Sequence, residues 1–456
     1  MRRAVLAVLV GLLAVGVVGW VATAATGPGF KTAKRPYLVP IEPGVVIHPI
    51  ISTGDLVGGY QMSGIPDGLG AYTDGGRVQV LMNHELGIAF PGNPPGVDAR
   101  ISKVTLDDKT HSVLSATYLV TGSEGFERFC SATLERVNGT PYYFTGEEAV
   151  GTGHDGSSIV MNAVTGQWSE TKHFGHIQHE NIVPVERIKK FMIVTPDDDF
   201  RAGSPSLLLA YIADSFEDAV SGDPAHGSLY VWKATNASDT PFTIHEGDTI
   251  PGEFVPLTQA ENANSVTIKT AAAAKGAFRF SRLEDAATAQ QTPGRVYFSD
   301  TGKIGDVSAT GRIYQLDIDP SEPTKASLTF LLDSATHGFA NPDNLDTSAQ
   351  SLVFQEDREA PFRAMHNRVL VYDFRDKTLR AVARVDPTPP LPPGQWESSG
   401  IINAQTLLGH DWWLLDVQAH NQSERQPGPT PPGAQPTPNT ATGEDGQLLA
   451  VYIPNS

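Results

Sequence analysis

Read for hydrophobic and polar positions, the chain is a succession of short apolar or alternating runs. They include "RVQVLMNHE", "THSVLSATYLV", "TPYYFTGEE", "SSIVMNAVTGQW", "FMIVTPDDD", "GSLYVWKA", "GRVYFSD", "GRIYQLDID", "SLTFLLD", "SLVFQED", "NRVLVYDF", "WWLLDVQ" and "QLLAVYIP". Val, Ile, Tyr and Phe dominate them, and clusters of Gly, Pro, Asp and Asn part them, which is the pattern of strands separated by tight turns. Helical periodicity is scarce, with "LTQAENANSVTIKTAAAAKG" the best candidate. Many short strands without interleaved helices predict an all-β sandwich, barrel or propeller.

Two features favour a β-propeller with long loops and few helices. "GRIYQLDID" then "SLTFLLD", and "SLVFQED" then "NRVLVYDF", read as successive strands of four-stranded blades. At roughly 40–50 residues per blade, the about 420 residues beyond the N-terminal segment hold six blades, although no clean repeat is visible. The last strand, "QLLAVYIP", follows a Pro-rich stretch (426–443) and is expected to return and complete the first blade. Residues 35–456 are therefore expected to be a single propeller domain, with the Pro-rich stretch a loop within it.

The chain opens with Arg2-Arg3, a long apolar run and then Ala22-Thr23-Ala24, the layout of a secretory signal with an A-x-A cleavage site. Residues 1–25 are read as a signal peptide or as an N-terminal membrane anchor, the apolar run being long enough for either. Both readings put the working part outside the cytoplasm, periplasmic or extracellular. The formal net charge of −18 excludes nucleic acid and anionic membrane as general partners, any membrane contact being left to that N-terminal segment. A single cysteine, Cys130, excludes an internal disulfide framework, so stability has to come from burial or bound metal.

The acids are placed at strand ends rather than scattered. "MNHELG" carries Glu85, "FTGEEA" carries Glu147 and Glu148, and "GHIQHEN" carries His179 and Glu180. "VTPDDDF" has Asp197 to Asp199, "FSRLEDAAT" has Arg282, Glu284 and Asp285, and "FANPDNLDTS" has Asp343. "FQEDRE" has Glu356 and Asp357, and "WESSGI" has Glu397. In a propeller, strand ends converge on the channel mouth, where many carboxylates repel one another unless cations lie between them. Each motif alone also fits a turn, His84, His179 and His420 each fit a structural role, and Cys130 alone fits a small buried hydrophobe.

The wording and order of these motifs resemble the PhoX family of secreted bacterial alkaline phosphatases, over most of the chain from Asn83 to Gln418. The resemblance lies in "MNHE", "CSATLERVNGTPYYFTGEE", "GHIQHE", "MIVTPDDD", "GSLYVWKA", "FSRLED", "VYFSDTGK", "NPDNLD", "LVFQED", "ESSGI" and "DVQAH". It implies a propeller holding iron and calcium at its channel mouth and hydrolysing phosphate monoesters. Carried over residue by residue, it makes Cys130, Glu180 and Glu284 iron ligands and Arg282 the phosphate-binding arginine, with Arg282 and Glu284 in the reaction centre. Glu85, Glu147, Glu148, Asp343, Glu356 and Asp357, with acids of the "PDDD" run Asp197 to Asp199, would then hold calcium. The sequence departs from the family where Leu283 follows the arginine in place of proline.

A phosphate dianion enters an acidic site only where cation charge exceeds acid charge, and an arginine can fork onto two phosphate oxygens where a lysine cannot. The implied partner is a small phosphate ester and the expected state a monomer. Two other classes remain open at this point: a calcium-dependent propeller hydrolase of another type, such as a phosphodiesterase or lactonase, and a non-catalytic calcium-stabilised binding propeller.

Overall fold

The computed structural model describes residues 29–87, 98–201, 203–258, 262–357, 367–387, 396–420 and 444–456. The N-terminal segment 1–25 and the Pro-rich stretch 426–443 lie outside the described residues. The fold is all-β and propeller-like, with short helices only, and the helical candidate is realised as Ser265–Ala274, capped by the Asn264 side chain on the Thr267 N–H.

Four sheets stand as separate blades. The first is Pro66–Asp74, Arg77–His84, Arg100–Leu106 and Val113–Val120 in spatial order, and the second runs from Phe129–Val137 through Thr140–Glu147 and Ser158–Asn162 to Trp168–Thr171. Another runs from Pro342–Thr347 to Leu379–Val385 with Leu38–Pro40 added at its edge. The last contains Trp396–Asn403, Trp412–Ala419, Asp445–Tyr452 and Val46–Ser52. Between the second and these two lies one nine-stranded sheet, Val183–Val185 at one end and Leu283–Thr288 at the other. It consists of two four-stranded antiparallel meanders joined through Thr249–Pro256, which pairs with Gly227–Ala234 on one side and Lys325–Asp333 on the other. Six separate blades are therefore not what is seen.

The closing connection also differs from expectation. The C-terminal strand Asp445–Tyr452 stays in its own blade, paired with Trp412–Ala419, and the N-terminal strand Val46–Ser52 pairs with it from outside. The ends of the chain meet in the last blade, and Asp445–Tyr452 does not return to the first.

The end strands of the sheets face inward. Pro66–Asp74, Phe129–Val137, Val183–Val185, Leu283–Thr288, Pro342–Thr347 and Trp396–Asn403 touch one another in that order and close into a ring. The apolar side chains of the blades pack between neighbouring sheets in several clusters, one of them built on Trp396, Trp413 and Leu449 and another on Trp232, Phe280 and Phe298. That packing leaves the first residues of the inner strands at the mouth of the ring.

Candidate metal centre

Five of the six inner strands place a metal-competent side chain at their second residue: Asp67, Cys130, Glu284, Asp343 and Glu397. The sixth supplies Glu180, just ahead of Val183–Val185. In four of them the register shifts at the same place, between Pro66 and Leu69, Phe129 and Ala132, Leu283 and Ala286, and Pro342 and Leu345. A bulge there detaches the second residue from the ladder and turns it toward the axis. A second tier comes from the residues that follow the neighbouring strands, Glu85 after Arg77–His84, Glu148 after Thr140–Glu147, Asp357 after Ser351–Glu356 and His420 after Trp412–Ala419.

Together these groups line a cavity of about 210 Å³, walled by Asp67, Glu85, Cys130, Glu148, Glu180, Glu284, Asp343, Asp357 and Glu397 with Arg128, Arg282, Gln418 and His420. Three overlapping sets have ligand atoms within 4.8 Å of one another: Asp67 with Glu85 and Cys130, Cys130 with Glu148 and Glu180, and Glu180 with Glu284 and Asp343. The three expected iron ligands, Cys130, Glu180 and Glu284, do not form one such set. Glu180 is the member common to the set that holds Cys130 and the set that holds Glu284.

Strand alternation decides which acid of each pair reaches the cavity. Glu148 enters it, whereas Glu147 points the other way and accepts from the N–H groups of Glu127 (2.8 Å) and Gly156 (2.9 Å) and from Thr152 Oγ1 (2.9 Å). Asp357 enters it, whereas Glu356 is held by Arg368 Nε at 2.8 Å and the Ala340 N–H at 2.9 Å. Glu147 and Glu356, expected among the ligands, are therefore not brought to the cavity and accept hydrogen bonds elsewhere. Glu85, Cys130, Glu148, Glu180, Arg282, Glu284, Asp343 and Asp357 are brought together as expected. His84 and His179 lie outside the cavity: both are buried, bonded to Ser102 and Thr195 respectively, and pushed down by burial to about 3 and about 4, hence neutral.

The sequence reading does not single out Asp67, Arg128, Gln418 or His420 as site residues, and it marks Glu397 only as an acid at a strand end. Two of them carry a usable signal. Pro66-Asp67 repeats Pro342-Asp343, and Arg128 stands two residues before Cys130 as Arg282 stands two before Glu284.

A polar framework orients the ligands. Ser131 Oγ donates to Glu180 (2.9 Å), and Asn344 Nδ2 donates to Ser131 Oγ (2.6 Å) and Asp67 Oδ1 (3.2 Å). Gln418 Nε2 donates to Glu85 (2.9 Å), and His420 lies between Glu397 (3.0 Å) and Glu444 (2.9 Å). Asn83 Nδ2 holds the Cys130 carbonyl at 2.7 Å. Gly68 lets the first two inner strands touch, because a Cβ there would lie 2.5 Å from the Cys130 carbonyl oxygen and the Ala132 nitrogen.

The two arginines sit on the wall. Arg282 forks onto Asp198 (Nε 3.0 Å, Nη2 2.8 Å) and reaches Glu284 at 2.7 Å. Arg128 pairs with Glu148 and lies 3.4 Å from Glu85. Burial works against both charges, but the neighbouring carboxylates more than offset it and hold both guanidinium groups above their ordinary value. The acids behave oppositely. Burial, then mutual repulsion, pushes Asp67, Glu180, Glu284 and Asp343 well up, and Glu148 to about 8. Burial and then the charges of Glu148 and Glu85 push the Cys130 thiol up, with Sγ donating to Glu148 Oε2 at 2.9 Å. Glu148 Oε1 is buried without a hydrogen-bond partner. Eight carboxyl groups and a thiol against two arginines, with an orphaned buried oxygen, form a donor set that fits hard cations at the carboxylates and a thiophilic one at Cys130.

No protein-family model and no curated protein matches the chain. Among solved structures it is similar to a Trypanosoma rangeli sialidase (9% identity, TM-score 0.43, covering 91% of this chain and 60% of that one). It is also similar to a thermostable family-43 glycoside hydrolase (11%, 0.37, 74% and 98%) and to the β-propeller domain of the Trilobed protease from Pyrococcus furiosus (10%, 0.33, 78% and 91%). At these identities and TM-scores none of them assigns an activity to this chain. Among the described residues no helix is long and apolar enough to cross a membrane.

Proposed function

We propose that the chain is an exported, metal-dependent phosphomonoesterase of the PhoX kind, built on a propeller whose nine-stranded sheet counts as two joined blades of six. One observation carries the reading: a ring of acids and one thiol, drawn from six inner strands, with a forked arginine on its wall. Such a site repels a phosphate ester unless cations are bound, and Arg282 adds a fixed positive charge on its wall.

Cys130, Glu148, Glu180, Glu284 and Asp343 would hold iron and calcium across their two linked sets, and Asp67 and Glu85 would complete a third with Cys130. Bound cations supply the positive charge that outweighs the acids and polarises the phosphoryl oxygens. Arg282, kept charged by Asp198 and Glu284, binds and orients the phosphoryl group, and Asp198 fixes the plane of its fork. Ser131 and Asn344 hold Glu180 and Asp67 in place, so the ligand geometry is set before substrate arrives.

The test is elemental analysis of the purified protein together with hydrolysis of a simple aryl phosphate. Iron and calcium with phosphate release support the reading. Calcium without iron and without phosphate release would leave a calcium-dependent propeller of another kind, and absence of metal after purification in metal-supplemented buffer would overturn the metal-dependent reading.

A further inference from the structure

A second cavity, of about 450 Å³, adjoins the acidic one and shares Arg128 and Arg282 with it. Its chemistry is different. The remaining walls are Phe200, Gly302, Lys303, Ile304, Ala309 and Asn341, with no carboxylate among the described residues that line it. Phe200 is 44% exposed and Ile304 66%, two of the few large apolar side chains left open to solvent, and both face this one space.

Phe200 is held in place rather than hanging free. Lys303 Nζ donates to the carbonyls of Asp199 (2.6 Å), Arg201 (3.1 Å) and Ser204 (3.0 Å), on both sides of the ring-bearing residue. The Asp199 carboxylate takes Arg201 Nε at 2.8 Å and pairs with Lys269. The Arg128 guanidinium lies 5.3 Å from the Phe200 ring centroid, a cation–π distance. An aromatic face is thus offered in the same cavity that is lined by Arg282, the arginine that would receive a phosphoryl group. A phosphate ester bound at Arg282 has to direct its leaving group away from the carboxylates, and the adjoining cavity is of the size of small-ligand pockets, roughly 300–1,000 Å³.

We propose that this cavity is the leaving-group subsite, and that Phe200 and Ile304 make it selective for phosphate esters whose alcohol carries a flat, apolar-faced ring over those of small polar alcohols. This rests on the phosphomonoesterase reading. Benzyl phosphate and glycerol phosphate, whose alcohols are of similar intrinsic reactivity, are compared by kcat/KM on the metal-loaded wild type and on Phe200→Ala, a surface change that leaves the folded core intact. The wild type prefers benzyl phosphate, and Phe200→Ala lowers that preference about twofold to tenfold, the worth of one aromatic contact. Phe200→Trp keeps the preference. An unchanged preference in Phe200→Ala, or an equal loss on both esters, overturns the proposal. Calorimetric binding of phenylphosphonate against methylphosphonate separates it from the parent reading. If neither ester is hydrolysed, the phosphatase reading falls; tighter phenylphosphonate binding that Phe200→Ala abolishes still supports the subsite, and equal binding of the two overturns it.

Discussion

Stripping the site of cations should make the protein progressively less stable as pH rises. Asp67, Glu180, Glu284 and Asp343 have folded-state pKa values above their ordinary ones, with burial the first cause, and Glu148 reaches about 8 against an ordinary 4.5. A carboxyl whose folded pKa is raised favours the folded state in its protonated form. Its contribution is fully present below pH 4.5 and is lost as pH rises through about 8. Each pH unit in that window costs about 1.4 kcal/mol for one such group, so Glu148 alone removes on the order of 4 kcal/mol between pH 5 and 8. For a chain of this size roughly 1 kcal/mol corresponds to 1 °C, giving a fall of about 4 °C or more in Tm. Differential scanning calorimetry of chelator-treated protein at pH 5, 6, 7 and 8, against the same protein resupplied with calcium and iron, measures it. The gap between the two Tm curves widens with pH, because cations replace the protons. A metal-free Tm that is flat or rises across that window would refute the argument that these acids are forced together in a low-dielectric site.

Cys130→Ala should lose iron and activity while keeping the β-sheet circular-dichroism spectrum, and retention of wild-type turnover would remove the thiolate from the centre. Arg282→Lys should lower kcat/KM for a phosphate ester with little change in bound metal, since a lysine cannot reproduce the fork on Asp198; equal kinetics would take Arg282 out of the site. Glu147→Gln should leave metal content unchanged and cost about 1–3 kcal/mol in urea unfolding, because one of its buried acceptor positions becomes a donor facing donors; loss of metal in that variant would return it to the ligands. Gly68→Ala should destabilise the protein and lower metal content together, since the added methyl collides with the backbone at Cys130 and Ala132, and an unaffected variant would contradict the close approach of the first two inner strands.

The strands named from hydrophobic patterning are strands in the structure, from Arg77–His84 to Asp445–Tyr452, because each presents an apolar face to a neighbouring sheet. Patterning passes over most of the inner ring. Pro66–Asp74, Leu283–Thr288, Pro342–Thr347 and Trp396–Asn403 carry Pro, Asp, Glu, Gly or Ser among their first residues, and "PDNLD" reads as a turn by composition. These strands line a polar axis, so burial does not write an apolar stripe into their first residues, and bulges break the alternation. The residues that look least like strand are those that build the site. The acid pairs are legible as pairs, but which member points inward depends on the last paired residue of a strand, a boundary that sequence does not resolve. The closing strand is expected in the first blade and found in the last, where Trp412–Ala419 and Val46–Ser52 flank it; the apolar pattern of "QLLAVYIP" names a strand but not its partners.

That closure sets an order of assembly. The blade that supplies Glu397, Gln418 and His420 is completed by pairing Val46–Ser52 with Asp445–Tyr452, at opposite ends of the described chain. A chain made from its N-terminus holds the outer strand of its final blade unpaired until almost all the rest has been synthesised. The mouth of the ring is therefore the last part of the molecule to acquire its full complement of donors, and any cation taken up earlier meets an incomplete coordination shell. On the metal-dependent reading proposed above, metal loading would be a terminal event of maturation, completed only once these two strands have paired.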